Sequence, residues 1–120
     1  MHSKPMVRTA LLVVLLTALS VPLAAHHGWT GYDEKNPLTL TGTVKSSEYA
    51  NPHGLVELDV NGKVWHVVLA PTSRMQDRGL TREMLKAGTK ATVVGYVNRQ
   101  TKTELRAERI TIGDKTTELR

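Results

Sequence analysis

The chain reads as an all-β protein of five short strands with one short helical connection between the third and the fourth. Three observations carry that reading. Apolar and polar residues alternate with a period of two in separate short stretches rich in Val and Thr. Asn61-Gly62, a strong two-residue hairpin signal, separates two of them. One stretch, 72–88, abandons that alternation between Pro71 and Gly88.

In the first strand Leu38, Leu40, Gly42 and Val44 alternate with Thr39, Thr41 and Thr43, as a half-buried strand requires. Asn51-Pro52-His53-Gly54 then breaks the run as a turn. In the second strand Val56, Leu58 and Val60 face one way, and Glu57 and Asp59 the other. Past the hairpin, Trp65, Val67 and Leu69 share one face, with Val64, His66 and Val68 on the other. Thr72 or Ser73 is positioned to cap a helical turn ending at Gly79, and Thr81 a second one ending at Gly88. The fourth strand alternates Ala91, Val93, Gly95 and Val97 with Thr92, Val94 and Tyr96. In the fifth, 105–112, Leu105 and Ala107 have one parity and Ile110 and Ile112 the other, which predicts a bulge or a strand exposed on both faces. Three strands, a helical connection and two strands is the order of an OB-fold, a small, partly open barrel; a small β-sandwich is the alternative. The expected division is a signal peptide at 1–25, an N-terminal segment at 26–37, the OB-like barrel at 38–112 and a frayed tail at 113–120.

Composition narrows the chemistry. No cysteine is present, which excludes a disulfide scaffold, an iron–sulfur cluster, a thiolate zinc site, a cysteine nucleophile and a lipidated N-terminal cysteine. Any metal must be held by nitrogen and oxygen. The formal charge of +5 falls to +3 without Lys4 and Arg8, too mild a balance to imply nucleic acid. The first 25 residues have the three-part layout of a secretory signal: a basic start, an apolar run at 10–19 and the small-residue ending Leu23-Ala24-Ala25. That run falls short of the roughly 20 residues a membrane span needs. The expectation is therefore a periplasmic protein, cut after Ala25 or Ala24, with no stable membrane anchor.

Processing would leave His26, His27, His53 and His66. A cut after Ala25 makes His26 the first residue, whose free amine and imidazole Nδ1 can chelate one metal ion. A third nitrogen, from His53 in the Asn-Pro-His turn, completes a T-shaped histidine brace suited to Cu(II). A cut after Ala24 instead gives Ala25-His26-His27, in which amine, two amides and the His27 imidazole form a square plane for Cu(II) or Ni(II). Both sets must be deprotonated, and with unperturbed pKa values of about 7.7–8.0 for the amine and about 6.5 for histidine, binding collapses on acidification. The metal ligands expected are thus His26, His53 and His27, and the cofactor copper. The bland reading makes His26 and His27 loose terminal residues and His53 a turn filler.

His66, between Trp65 and Val67, reads as a structural residue on a half-exposed face. Trp29, Tyr32 and Tyr49 flank the candidate site in sequence. Arg74, Arg78, Arg82 and Lys86 recur at intervals of four and read as a solvated face. There is no glycine-rich phosphate loop, nucleophile elbow or HExxH zinc helix, and Glu48, Glu57 and Asp59 have no partner suggesting acid–base work.

The motifs His26-His27-Gly28-Trp29, Tyr32-Asp33, Leu40-Thr41-Gly42-Thr43-Val44, Asn51-Pro52-His53, Arg78-Gly79, Leu85-Lys86-Ala87-Gly88 and Val93-Val94-Gly95-Tyr96 resemble a family of small exported bacterial proteins of unknown function. Members often carry Trp after the Arg-Gly, where this chain has Leu80. The resemblance implies an exported OB-like barrel and supplies no activity. The leading functional expectation is a periplasmic Cu(II)-binding protein for capture or delivery, not an enzyme. The alternatives are a metal-free exported accessory domain with an envelope partner and, last, a copper-dependent oxidase or monooxygenase.

Overall fold

The computed structural model describes Ser3 and residues 28–120. After a 3-10 turn at Trp29–Gly31 come the strands β1 (Leu38–Glu48), β2 (Leu55–Val60), β3 (Lys63–Val68), β4 (Lys90–Val97), β5 (Glu104–Ile112) and β6 (Lys115–Glu118). The helix α1 (Thr72–Asp77) and a 3-10 turn at Glu83–Leu85 join β3 to β4. The strands lie in the order β3-β2-β1-β4-β5-β6, and β3 also pairs with β5, so five of them close into the expected OB-like barrel. The closing pair is parallel, matching His66 with Glu104, Val67 with Leu105 and Val68 with Arg106. The other strand pairs are antiparallel. Continuous hydrogen bonding around the barrel rules out the sandwich, whose two sheets meet only through side chains.

The inward parity is the one the alternation predicts. Val44, Val56, Leu58, Val67, Leu69 and Val93 are each 2% exposed or less and form one cluster with Met75, Leu80 and Leu85 from the helical connection. Each such side chain contributes about 1.5–3 kcal/mol by leaving water, so this cluster is the dominant stabilising term. Leu80 takes an ordinary core position, and its carbonyl accepts a hydrogen bond from the Tyr49 hydroxyl at 2.7 Å. At the β2–β3 hairpin Asn61 and Gly62 have φ of 53° and 86°, the left-handed pair that a tight, right-twisted hairpin requires.

The change of parity in β5 is a bulge. Val94 faces Arg109 while Gly95 faces Ala107, leaving Glu108 as the extra residue. Two expectations are corrected. Residues 113–120 are not frayed: β6 pairs with β5 from Ile112–Lys115 to Arg109–Glu118, and Leu119 is 1% exposed. Gly113, at φ 61°, makes the tight reversal, and Gly113-Asp114 is itself a two-residue hairpin signal. Nor do Thr72 or Ser73 cap α1 with their side chains. The Asn51 side chain does so from the turn after β1, its Oδ1 accepting from Thr72 N at 3.0 Å and from Thr72 Oγ1 at 3.1 Å.

Two glycines are required by close strand approach. A Cβ at Gly42 would collide with the backbone carbonyl of Asp59, and one at Gly95 with that of Arg106. Gly42→Ala and Gly95→Ala are each expected to lower stability by about 1–3 kcal/mol, while Gly31→Ala, with open space at its Cβ, changes little. Chemical denaturation of the three variants checks this.

Candidate functional site

The candidate site is built where the barrel closes. Gly54 is tied to the chain just past β3 by two backbone bonds of 2.8 Å, its N–H to the Ala70 carbonyl and its carbonyl to the Leu69 N–H. Because Val68 pairs with Arg106 across the parallel closure, His53 comes within reach of the Arg106 side chain. Arg106 Nη2 lies 3.4 Å from His53 Nε2. A guanidinium only donates, so this hydrogen bond uses the Nε2 lone pair of a neutral imidazole.

Arg106 is only 7% exposed although it points away from the core, opposite in parity to the buried Leu105 and Ala107. The segment that precedes β1 covers it. The Trp29 ring centroid lies 4.4 Å from the Arg106 guanidinium carbon, and the Tyr32 ring 5.9 Å from it. Arg120, just past β6, brings a second guanidinium to 4.3 Å from Trp29 and pairs with Glu34 at 2.8 Å. Tyr96 on β4 meets Trp29 edge-on with centroids 5.8 Å apart. A desolvated cation–π contact such as that of Arg106 contributes about 2 kcal/mol and an exposed one such as that of Arg120 about 0.5–1 kcal/mol, so these two cations fasten a short segment with little regular structure of its own. Backbone bonds complete the attachment: Asp33 N–H donates to the Val97 carbonyl and Arg99 N–H to the Gly31 carbonyl, both at 2.9 Å.

Burial holds the Arg106 pKa below its usual value, with the cations Arg120 and Arg74 acting in the same direction against the effect of Tyr32. The Tyr32 hydroxyl is pushed up to about 12, first by burial and then by Glu104, to whose Oε2 it donates at 2.6 Å. Asn98 Nδ2 donates to the same carboxylate oxygen at 2.9 Å.

Of the expected metal ligands, His53 is half-buried in this cluster, whereas His26 and His27 lie outside the described residues. Among the described residues no group of three His, Cys, Asp or Glu side chains could hold a metal ion. Trp29 and Tyr32 join the site; Tyr49 does not, its hydroxyl being bonded to Leu80 and its ring covered by Arg82 at 5.2 Å. His66 is exposed and pairs across from Glu57 on the outer face.

The basic residues of the helical connection are not simply a solvated face. Arg74 donates to the Leu119 carbonyl, Arg78 to those of Glu118 and Arg120, and Arg82 to that of Tyr49. Reading the sequence alone misses Arg106, Arg120, Tyr96 and Glu104 as parts of the site. An Arg at the outward parity of a strand reads as solvated, and only the tertiary path of residues 29–34 covers it.

With this geometry in view, comparison with known proteins places the chain. Residues 13–107 match the family of unknown function DUF6152. The chain belongs to that family. No curated protein matches it. Among solved structures, this DUF6152 chain is similar to the crystal structure of the S. pombe Stn1-Ten1 complex, with a TM-score of 0.51 and 18% identity over 66% of this chain and 59% of that one. It is also similar to a ZRD-deleted mutant of TiaS in complex with agmatine, with a TM-score of 0.53 and 16% identity over 72% of this chain and 27% of that one. At such identities the likeness is one of fold, and the chain spans only 59% and 27% of those two neighbours.

A tyrosine with a raised pKa stabilises the fold fully below its unfolded value near 10, and that contribution is lost as pH climbs through the folded value. Wild-type protein is therefore expected to lose stability between pH 10 and about 12, and Tyr32→Phe to lose less over the same interval. Thermal melting across that range measures the difference.

Proposed function

We propose that this chain is an exported Cu(II)-binding protein that captures or delivers the ion through its processed N-terminal His26, with His53 as third donor and His27 as a further ligand. One observation carries the reading: Trp29 and His53 contact the same Arg106 side chain, at 4.4 Å and 3.4 Å. Only two residues separate His26 from Trp29, three steps that span at most about 11 Å of extended chain. Trp29, close in sequence to the histidine pair, and the Asn-Pro-His turn thus meet at Arg106, which supports a brace.

The chemistry of the donor set agrees. The hydrogen bond from Arg106 is accepted by Nε2 of a neutral His53 imidazole, the charge state in which imidazole binds a metal. Nitrogen donors without thiolate suit Cu(II) over Cu(I). A second reading, a metal-free exported accessory domain with an envelope partner, draws on Leu55. It is 42% exposed and lies in a groove with Glu48, Glu57 and His66.

Titration of Cu(II) into protein beginning at His26 is expected to give a nitrogen-rich tetragonal spectrum and 1:1 binding. Acetylating the His26 amine should weaken binding by at least tenfold, because it removes the amine from either chelate. His53→Ala should also weaken binding and alter the spectrum. Equal affinity in all three proteins would remove the brace and leave the accessory-domain reading.

A further inference from the structure

We propose that Asn61 is a modification site, where the side-chain amide is lost by attack of the next backbone nitrogen, and that the Asp59 carboxylate guards it. This stands apart from the copper reading. Asparagine is among the thermolabile side chains, and its spontaneous loss of ammonia needs a following residue that has a backbone N–H and little bulk. Of the four asparagines, Asn36 and Asn51 precede Pro37 and Pro52, whose nitrogens carry no hydrogen. Asn98 precedes the long Arg99, and its side chain is engaged at both ends: Oδ1 accepts from Gln100 N and Thr101 N, and Nδ2 donates to Glu104. Asn61 precedes Gly62, which has no Cβ to hinder attack, and both residues are exposed.

Solvent hydroxide removes the Gly62 amide proton, and the nitrogen attacks Asn61 Cγ. A C–N bond forms as the C–NH2 bond breaks, and the leaving nitrogen takes a proton from water and departs as ammonia. Water then opens the five-membered imide at either carbonyl, leaving an aspartyl or an isoaspartyl residue at position 61. The isoaspartyl form routes the main chain through the side chain and adds one methylene to a two-residue turn that pairs Val60 with Lys63. The first step is where the fold intervenes, because Gly62 N–H donates to Asp59 Oδ1 at 2.8 Å. A hydrogen bond to a carboxylate favours the protonated amide, and the negative charge beside it disfavours the amide anion. Asp59 is itself fixed by strand pairing on both sides, with Thr43 of β1 and Val64 of β3. The Asn-Gly pair that makes the tight hairpin is thus also the reactive one, and a strand residue two positions before it holds the attacking nitrogen in check.

Protein held at mildly alkaline pH and sampled by peptide mapping with mass spectrometry supplies the test. In denaturant, Asn61 is expected to convert ahead of Asn36, Asn51 and Asn98; earlier conversion of any of those three overturns the site. Folded wild type is expected to convert Asn61 at least tenfold more slowly than the denatured chain, and equal rates overturn the guard. Folded Asp59→Ala is expected to convert at least threefold faster than folded wild type, in keeping with one lost hydrogen bond; an equal or slower rate overturns the guard. Should that variant fail to fold, the Gly62 amide of wild type decides: hydrogen exchange well below the rate of an unstructured glycine amide supports the guard, and exchange as fast as that overturns it.

Discussion

The parallel pairing of β3 with β5 is the constraint from which the rest of the molecule follows. It covers three residue pairs, 66–68 with 104–106, yet it turns a sheet into a barrel and fixes which loops share an end. The closure is possible because Gly95 lets β5 approach β4 without a Cβ in the way and because the extra residue Glu108 bends β5 at that level. Once Val68 is opposite Arg106, the chain just beyond β3 holds the 51–54 turn, and His53 arrives beside the guanidinium. Local alternation supplies the strands; this one non-local register supplies the site.

Much of the barrel was legible because its strands are amphipathic at period two. The Asn61-Gly62 turn, the inward face of Trp65, Val67 and Leu69, and the parity change in 105–112 each have a local physical cause, and local causes are written in the sequence. The sixth strand was obscured because Lys115-Thr116-Thr117-Glu118 is polar, and its pairing depends on Leu119 finding the core rather than on its own alternation. The helix cap was misassigned for a related reason: Thr72 is adjacent to α1 in sequence, but Asn51, 21 residues away, is adjacent in space. Of the candidate site, the turn histidine and two aromatics were legible. Arg106 and Arg120 were not, since only the path of the 29–34 segment covers the outward-facing Arg106 and sets Trp29 beside Arg120, which stays exposed.

Arginine plays two roles here that composition alone would merge. Arg74, Arg78 and Arg82 satisfy backbone carbonyls at the ends of β1 and β6, so their charge is secondary to their geometry as multiple donors. Arg106 and Arg120 instead lie over an indole, where a flat, weakly hydrated cation is at home. A net charge of +5 therefore describes internal fastening as much as a surface field, and the OB-like architecture needs no oligonucleotide to account for it.

The Asn51 cap also governs how His53 is presented. One end of the 51–54 loop is stitched to the first turn of α1 and the other to the strand end at 69–70, so the imidazole is carried on a short bridge fastened at both piers. The conformational entropy of that loop is surrendered when the protein folds, not when a ligand arrives. Recognition at this spot thus draws on a mount already set.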